Sequence, residues 1–298
     1  MEMSVFKHAS LGRKTFVIVN YFILFGAAAV CLLPMIHVLA VSFSASAAVS
    51  SGQVKLWPVG FNVDSYNYVL QKPEFMTSFL ISLKRVLVGV PLNMLLTILI
   101  AYPLSKERSQ FKWRSVYVWF FVVTMLFSGG LIPWYMTIKA TGLIDTFWAL
   151  IIPSAVPIFN VILLLNFFRS LPQEIEEAAL IDGANVWKIL WKIYVPLSAP
   201  AIATLVLFCI VTQWNSWFEG LMLLNDPRGY PLQTYLQTVI VNRDLSLSMS
   251  ADWRSMVNVS DRTTKAAQIF VATVPVLCVY PFLQKYFTSG IVLGSVKG

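Results

Sequence analysis

The sequence predicts an all-α integral membrane protein with six transmembrane helices and both termini in the cytoplasm. Three observations predict it. The 298-residue chain is 57% hydrophobic and only 12% charged, against roughly 25% charged in soluble domains. Six runs free of Asp, Glu, Lys and Arg are each long enough to cross a bilayer, which takes roughly 17–25 residues as helix. Lysines and arginines gather in alternate connections between those runs.

The first helix is expected at about 16–43, inside the uncharged run Thr15 to Val54. That run exceeds the 7–15-residue apolar core of a signal peptide and lacks a clear cleavage site, so the amino terminus is expected to be retained. Ser44 to Gly52, rich in Ser and Ala, then reads as an exit into an external loop over 44–77. The second helix is expected at about 78–105 and encloses Lys84 and Arg85. The third, fourth, fifth and sixth follow at about 115–138, 144–168, 197–222 and 266–287. A polar segment at 170–198 separates the fourth from the fifth, and an external loop at 223–267 separates the fifth from the sixth. The runs are continuous rather than alternating, which argues against a β-barrel. They leave no room for a separate soluble domain, so residues 1–298 read as a single transmembrane domain.

Orientation follows from the connections. Lys7, Arg13 and Lys14 precede the first helix, Lys106, Arg108, Lys112 and Arg114 link the second to the third, Arg169, Lys188 and Lys192 link the fourth to the fifth, and Lys285 and Lys297 follow the sixth. Six crossings place all of them on one side, which the positive-inside rule makes the cytoplasm. The same placement explains the net charge of +8 better than a nucleic-acid partner does. Cys31, Cys209 and Cys278 lie in apolar runs, where a buried thiol is the plain reading over metal or redox chemistry.

The segment at 170–198 has its own organisation. Pro172 with Glu174, Glu176 and Glu177 marks a helix start, because carboxylates favour the positive end of the helix dipole. Ala178 and Ala179 are strong helix formers with little bulk. Asp182-Gly183 reads as a break, and a second helix resumes over Asn185 to Val195 with Val186, Ile189, Leu190 and Ile193 on one face. Two short helices with a bend are expected at the membrane surface. From spacing alone, an amphipathic connector and a docking element remain equally open.

The stretch Glu177-Ala178-Ala179, then Asp182-Gly183-Ala184, then Ile193-Tyr194-Val195-Pro196-Leu197 resembles the EAA motif of permease subunits from bacterial ATP-binding-cassette (ABC) importers. Trp148-Ala149-Leu150-Ile151-Ile152-Pro153, Gln213-Trp214-Asn215, and the tail from Tyr286-Phe287 through Gly290 to Gly294-Ser295-Val296-Lys297-Gly298 extend the likeness to the carbohydrate branch. That branch is the maltose-type family, and nearest to it the oligosaccharide or polysaccharide permeases. The resemblance covers nearly the whole chain. It implies a type I ABC importer permease fold in the bacterial inner membrane. It also implies a second, non-identical permease subunit, two ATPase subunits and an extracytoplasmic sugar-binding protein. Glu177, Ala178, Ala179, Asp182, Gly183 and Ala184 would then couple to the ATPases, which hold ATP and magnesium. The chain itself has no G-x-x-x-x-G-K-[ST] phosphate loop, so no cofactor is expected on it.

The translocation path must use polar and aromatic groups of the helices. Lys84 and Arg85 are one turn-step apart, about 100° around the helix, so both cannot face a pore equally. Either they snorkel to the outer interface, or one of them faces the path and meets a carboxylate-bearing sugar such as a uronate oligomer, as in alginate. Gln213, Trp214, Asn215, Trp217 and Glu219 cluster on the fifth helix. Amides and aromatic rings suit sugar hydroxyls and ring faces, while the tryptophans also fit an interfacial belt. Asn160 and Asn166 read as helix-to-helix hydrogen bonds, Pro153, Pro157 and Pro275 as kinks in their helices, and His37 as a packing residue. No Cys/His set at metal spacing and no Ser-His-Asp pattern occurs, so enzyme chemistry has no footing. The alternative is a secondary transporter of a small polar solute driven by an ion gradient, which needs a membrane-embedded carboxylate; Glu219 is the one candidate.

Overall fold

The computed structural model describes residues 11–246 and 261–295, and every regular element among them is helical. Residues group into two compact units, 1–72 with 247–271, and 73–246 with 272–298. The division at 72–73 falls inside the connection expected at 44–77.

The first unit opens with α1 (Leu11–Ser42), 32 residues long. None of its most apolar 18-residue window is buried. A helix of this kind is stable in hydrocarbon because its backbone is satisfied internally. The connection expected at 44–77 is folded rather than bare, with α2 (Ser46–Ser50) and α3 (Asp64–Gln71) inside it. Phe43 stacks between Phe61 and Tyr66 at 5.4 and 4.7 Å. Ser44 Oγ donates to Ala40 O and accepts from the Val59 amide. His37 Nδ1 lies 2.6 Å from Lys55 O, a packing contact.

The second unit is built around α4 (Pro73–Ser105), 33 residues long. Its buried residues recur at helical spacing and change character along the helix. Ser78, Ser82, Arg85, Asn93 and Thr97 form a polar stripe, which passes into Ile98, Ala101, Tyr102 and Leu104. In hydrocarbon, polar groups belong inside and apolar ones can face lipid, so this inverted stripe fits a membrane helix.

Three of the expected helices are broken, the fourth helix at the kink that Pro153 and Pro157 predict. The third, 115–138, is α5 (Arg114–Leu126) and α6 (Leu131–Ala140), set at 117° to one another about Gly129-Gly130, with Gly130 at φ +91. The fourth, 144–168, is two 3₁₀ turns, Phe147–Leu150 and Ile152–Ser154, bent by 45° into α7 (Ile158–Ser170). Pro153 and Pro157 remove amide donors at that join. The fifth, 197–222, is α11 (Ala199–Asn215) followed after Ser216-Trp217 by α12 (Phe218–Leu223).

The segment at 170–198 holds α8 (Gln173–Ile181), α9 (Val186–Ile189), a π turn at Leu190–Tyr194 and α10 (Val195–Leu197), and this second limb meets α11 at 82°. Beyond α12, Asp226 caps a 3₁₀ turn at Pro227–Gly229 by accepting from the Arg228 amide at 2.9 Å. Then come α13 (Leu232–Ser246) and the 35-residue α14 (Asp261–Ser295), which includes the sixth expected span. Lys7, Lys297, both chain ends and positions 247–260 of the last external loop lie outside the described residues.

Candidate functional site

The bend at Asp182-Gly183 has a complete local cause. The Gly183 amide donates to Leu180 O at 3.0 Å and the Ala184 amide to Ala179 O at 2.9 Å, the bond pair of a Schellman helix ending. Gly183 takes the left-handed conformation this ending requires, φ +72. Two residues later Asn185 starts the next helix, its Oδ1 accepting from the Lys188 amide at 2.8 Å. One helix is stopped and the next begun within four residues.

At this bend Glu177, Ala178, Asp182 and Gly183 are exposed, while Ala179 and Ala184 are half-buried against the core. Apolar groups surround the tip in the open, Ile181 at 87% and Trp187 at 61% exposure. A Cβ built on Gly183 meets nothing within 4 Å, so the surface there is free for close approach. Beside it a groove of about 580 Å³ is walled by Leu99, Phe111, Leu180, Val186 and Trp187.

Sequence reasoning missed the groups that fasten this segment. Lys106 Nζ lies 2.5 Å from both carboxylate oxygens of Glu176. The Tyr194 hydroxyl donates to Glu176 Oε2 at 2.5 Å and accepts from Lys106 at 3.3 Å. The ammonium also sits over the rings of Tyr102 and Tyr194, 4.0 and 4.3 Å from their centroids. Tyr102, Phe168 and Tyr194 pack edge to face beneath it. Desolvation holds the Lys106 ammonium below its usual range, opposed by Glu176. Burial, and then the hydrogen bond and charge of Glu176, push the Tyr194 phenol up. In the sequence Lys106 stands out only as an orientation signal, and Glu176 only as one of three carboxylates at a helix start.

Within the membrane stretch, α4, α11, α12 and the 3₁₀ turn at Ile152–Ser154 bring together a second polar cluster. Arg85 is 1% exposed. Its Nε donates to Gln213 Oε1 at 2.9 Å, its Nη1 to Ser216 O at 3.2 Å, and its Nη2 lies 3.6 Å from Glu219 Oε2. Glu219 also accepts from the Ser216 hydroxyl. Gln213 Nε2 donates to Asn93 Oδ1 at 2.8 Å, and Asn93 Nδ2 donates on to Ser154 O and Ala155 O. Asn93 had no signal of its own in the sequence. Its position four and eight residues from Gly89 and Arg85 is the pattern that points to it.

The cluster sorts the sequence candidates. Arg85, Gln213 and Glu219 are joined, and Glu219 is thereby engaged rather than available as an ion-gradient carboxylate. Trp214 is buried, donating to Ala272 O at 2.9 Å and packing on Phe79. Asn215 bonds back to Val211 O in its own helix, and Trp217 is partly exposed against Phe218. Lys84 stands apart, exposed, with its ammonium 4.4 Å from the Phe147 ring centroid. A groove of about 560 Å³ passes Asn93, Asn160 and Gln213 between apolar walls. Asn160 donates across to Cys209 Sγ on α11, the interhelical bond expected of it, while Asn166 is exposed.

Comparison with known proteins places this geometry. The family model of binding-protein-dependent transport system inner membrane components matches residues 75–292. Protein LplC of Bacillus subtilis (strain 168) is 39% identical over 291 residues, covering 98% of each chain. The polygalacturonan/rhamnogalacturonan transport system permease protein YtcP of the same organism is 42% identical over 289 residues, covering 96% of this chain and 99% of that one. A chain in the crystal structure of a bacterial ABC transporter involved in the import of the acidic polysaccharide alginate superposes with a TM-score of 0.86 at 36% identity. It covers 94% of this chain and 99% of its own.

Proposed function

The chain belongs to the family of binding-protein-dependent transport system inner membrane components, and from that premise we propose that it forms half of the translocation path of an ATP-driven importer for acidic oligosaccharides. It has the type I ABC importer permease fold and is a membrane transport component rather than an enzyme. The reading of an acidic cargo is carried by one observation. A relative named for polygalacturonan and rhamnogalacturonan and a solved neighbour importing alginate both match nearly end to end, and these glycans share uronic acid units.

The partners follow from the same reading. A second, non-identical permease subunit completes the path, two ATPase subunits bind ATP and magnesium, and an extracytoplasmic binding protein delivers the sugar. The tip around Gly183 docks on an ATPase, with Glu177 and Asp182 offering carboxylates to basic side chains and Ala178 giving little bulk. Six crossings with both termini in the cytoplasm put this tip on the ATPase side. The basic residues at 106–114 and 169–192 support that orientation.

Arg85 is already neutralised by Glu219, so of the two neighbouring cations Lys84 is the one that meets a uronate carboxylate. The test is uptake by the chain reconstituted with its sibling permease, ATPases and binding protein in liposomes. Labelled galacturonate, rhamnogalacturonate or alginate oligomers are expected to enter with ATP, and a neutral glucan of equal length is not. Import of the neutral oligomer with exclusion of all three acidic ones would overturn the reading.

A further inference from the structure

We propose that Lys106 is a positioning residue at which both limbs of the coupling segment are fastened to the cytoplasmic end of α4, and that this fastening transmits the segment's displacement into the membrane. The inference rests on the importer reading above and assigns the transmitting role to Glu176 and Tyr194 rather than to the exposed Glu177.

The geometry is a closed triangle. Glu176 lies on the first limb, α8, and Tyr194 on the second limb, in the π turn before α10. Lys106 follows directly on α4. The ammonium touches the carboxylate at 2.5 Å and the phenol oxygen at 3.3 Å, and the phenol closes the third side on the carboxylate at 2.5 Å. Only 12% of the Lys106 side chain and 13% of that of Glu176 are exposed, so water and salt screen this pair less than a surface pair. The Tyr102 ring of α4 supports the same ammonium from below.

Between the two anchors the chain leaves and returns through the capped bend. Its tip carries the exposed Ile181 and Trp187, while Ala179 and Ala184 beside it lie half-buried against the core. A push on the tip therefore reaches the same ammonium along both limbs. Helix α4 continues from there to Asn93, about 20 Å away, and on to Arg85, about 30 Å away, at 1.5 Å per residue. A single ion pair would leave one limb free to pivot; a shared cation holds both.

The test uses the reconstituted complex of both permeases, ATPases and binding protein, with K106E, E176K, the double exchange and Y194F. Oligosaccharide imported per ATP hydrolysed is expected to fall in either single charge variant by a factor within the roughly 5–150-fold range of allosteric couplings. The ATPases are expected to co-purify as with wild type, and the double exchange to recover most of the loss. Y194F is expected to fall less. Single variants with the wild-type ratio, or a double exchange no better than the singles, overturn the proposal. Hydrogen exchange of the purified chain reads the fastening without transport: E176Q is expected to speed exchange in α8 and in residues 190–194 together. Faster exchange in one limb alone, or in neither, overturns it as well, whereas a wild-type complex that imports no acidic oligomer fails only the importer reading.

Discussion

Arg85 Nη2 lies 3.6 Å from Glu219 Oε2, the guanidinium wholly enclosed and the carboxylate 22% exposed. An isolated charge at this depth would carry a desolvation penalty of several kcal/mol. The guanidinium meets it with three acceptors, a carboxylate, an amide oxygen and a backbone carbonyl. The carbonyl belongs to Ser216, where α11 has ended and its orphaned acceptors need donors. Arg85 thus stabilises the break between α11 and α12 as well as balancing a charge. Gly89 makes room for this, since a Cβ there would sit 3.1 Å from the Gln213 amide group.

Replacing Arg85 by Met therefore leaves Glu219, Gln213 and Ser216 all short of a donor. A loss of about 3–5 kcal/mol is expected, the range for breaking one side of a buried pair. Glu219→Gln keeps a hydrogen-bonding oxygen near the guanidinium and the Ser216 hydroxyl, and is expected to cost less, about 1–3 kcal/mol. Unfolding of the detergent-purified chain, followed by circular dichroism, ranks the two. Equal losses would mean that the guanidinium's other two bonds contribute nothing.

Gly183→Asn and Gly183→Leu separate backbone strain from bulk at the exposed tip proposed to dock on an ATPase. The left-handed conformation costs an ordinary residue about 1–2 kcal/mol, and Asn tolerates it better than most. No neighbour lies within 4 Å, so neither side chain clashes inside the chain. Both variants are expected to insert into the membrane and retain the overall fold. ATPase recovered on affinity-purified membranes is expected near wild type for Gly183→Asn and sharply reduced for Gly183→Leu. Full recovery with Gly183→Leu would show that no partner closes over this tip.

Asn185→Ala removes the cap of the second limb, whose Oδ1 holds the Lys188 amide. Such a change costs about 1 kcal/mol. Because the residue sits between the two anchors on Lys106, the loss is expected as local opening rather than global unfolding. Amides of Val186 to Ile189 should exchange faster while those of α4 stay as in wild type. An unchanged rate at 186–189 would place the stability of this limb elsewhere.

What the sequence made legible follows physical range. The bend and its two flanking helices depend on chemistry within a few residues, glycine at a helix end and asparagine at a helix start, and both were readable. The helical class followed from composition and run length. Pro153 and Pro157 make the break in the fourth helix readable, whereas those in the third and fifth are hidden, because the apolar runs stay continuous while Gly130 and Ser216 interrupt the helix within them. The pairings Arg85 to Glu219 and Lys106 to Glu176 join residues 134 and 70 positions apart. No local pattern encodes such pairs, which is why Arg85 and Lys84 remained interchangeable as candidates until the fold distinguished them.

That distinction carries the last prediction. Lys84 and Arg85 are neighbours, yet Arg85 is satisfied by Glu219 while the Lys84 ammonium, among the described residues, faces the ring of Phe147. A cation held by an aromatic face gains about 0.5–1 kcal/mol at an exposed site. A charge-assisted hydrogen bond to a carboxylate is worth more, about 1.5–3 kcal/mol, so a passing uronate can draw the ammonium off the ring. Lys84→Ala is expected to raise the half-saturating concentration for acidic oligomers roughly tenfold, the effect of about 1.4 kcal/mol. Lys84→Arg is expected to stay within a few-fold of wild type, and the thermal stability of both should be unchanged. Uptake assays at low and high salt add a second signature. If the contact is electrostatic and partly open to water, added salt should weaken wild-type uptake and leave Lys84→Ala nearly flat. A Lys84→Ala chain that imports galacturonate oligomers with wild-type concentration and salt dependence would remove Lys84 from the path.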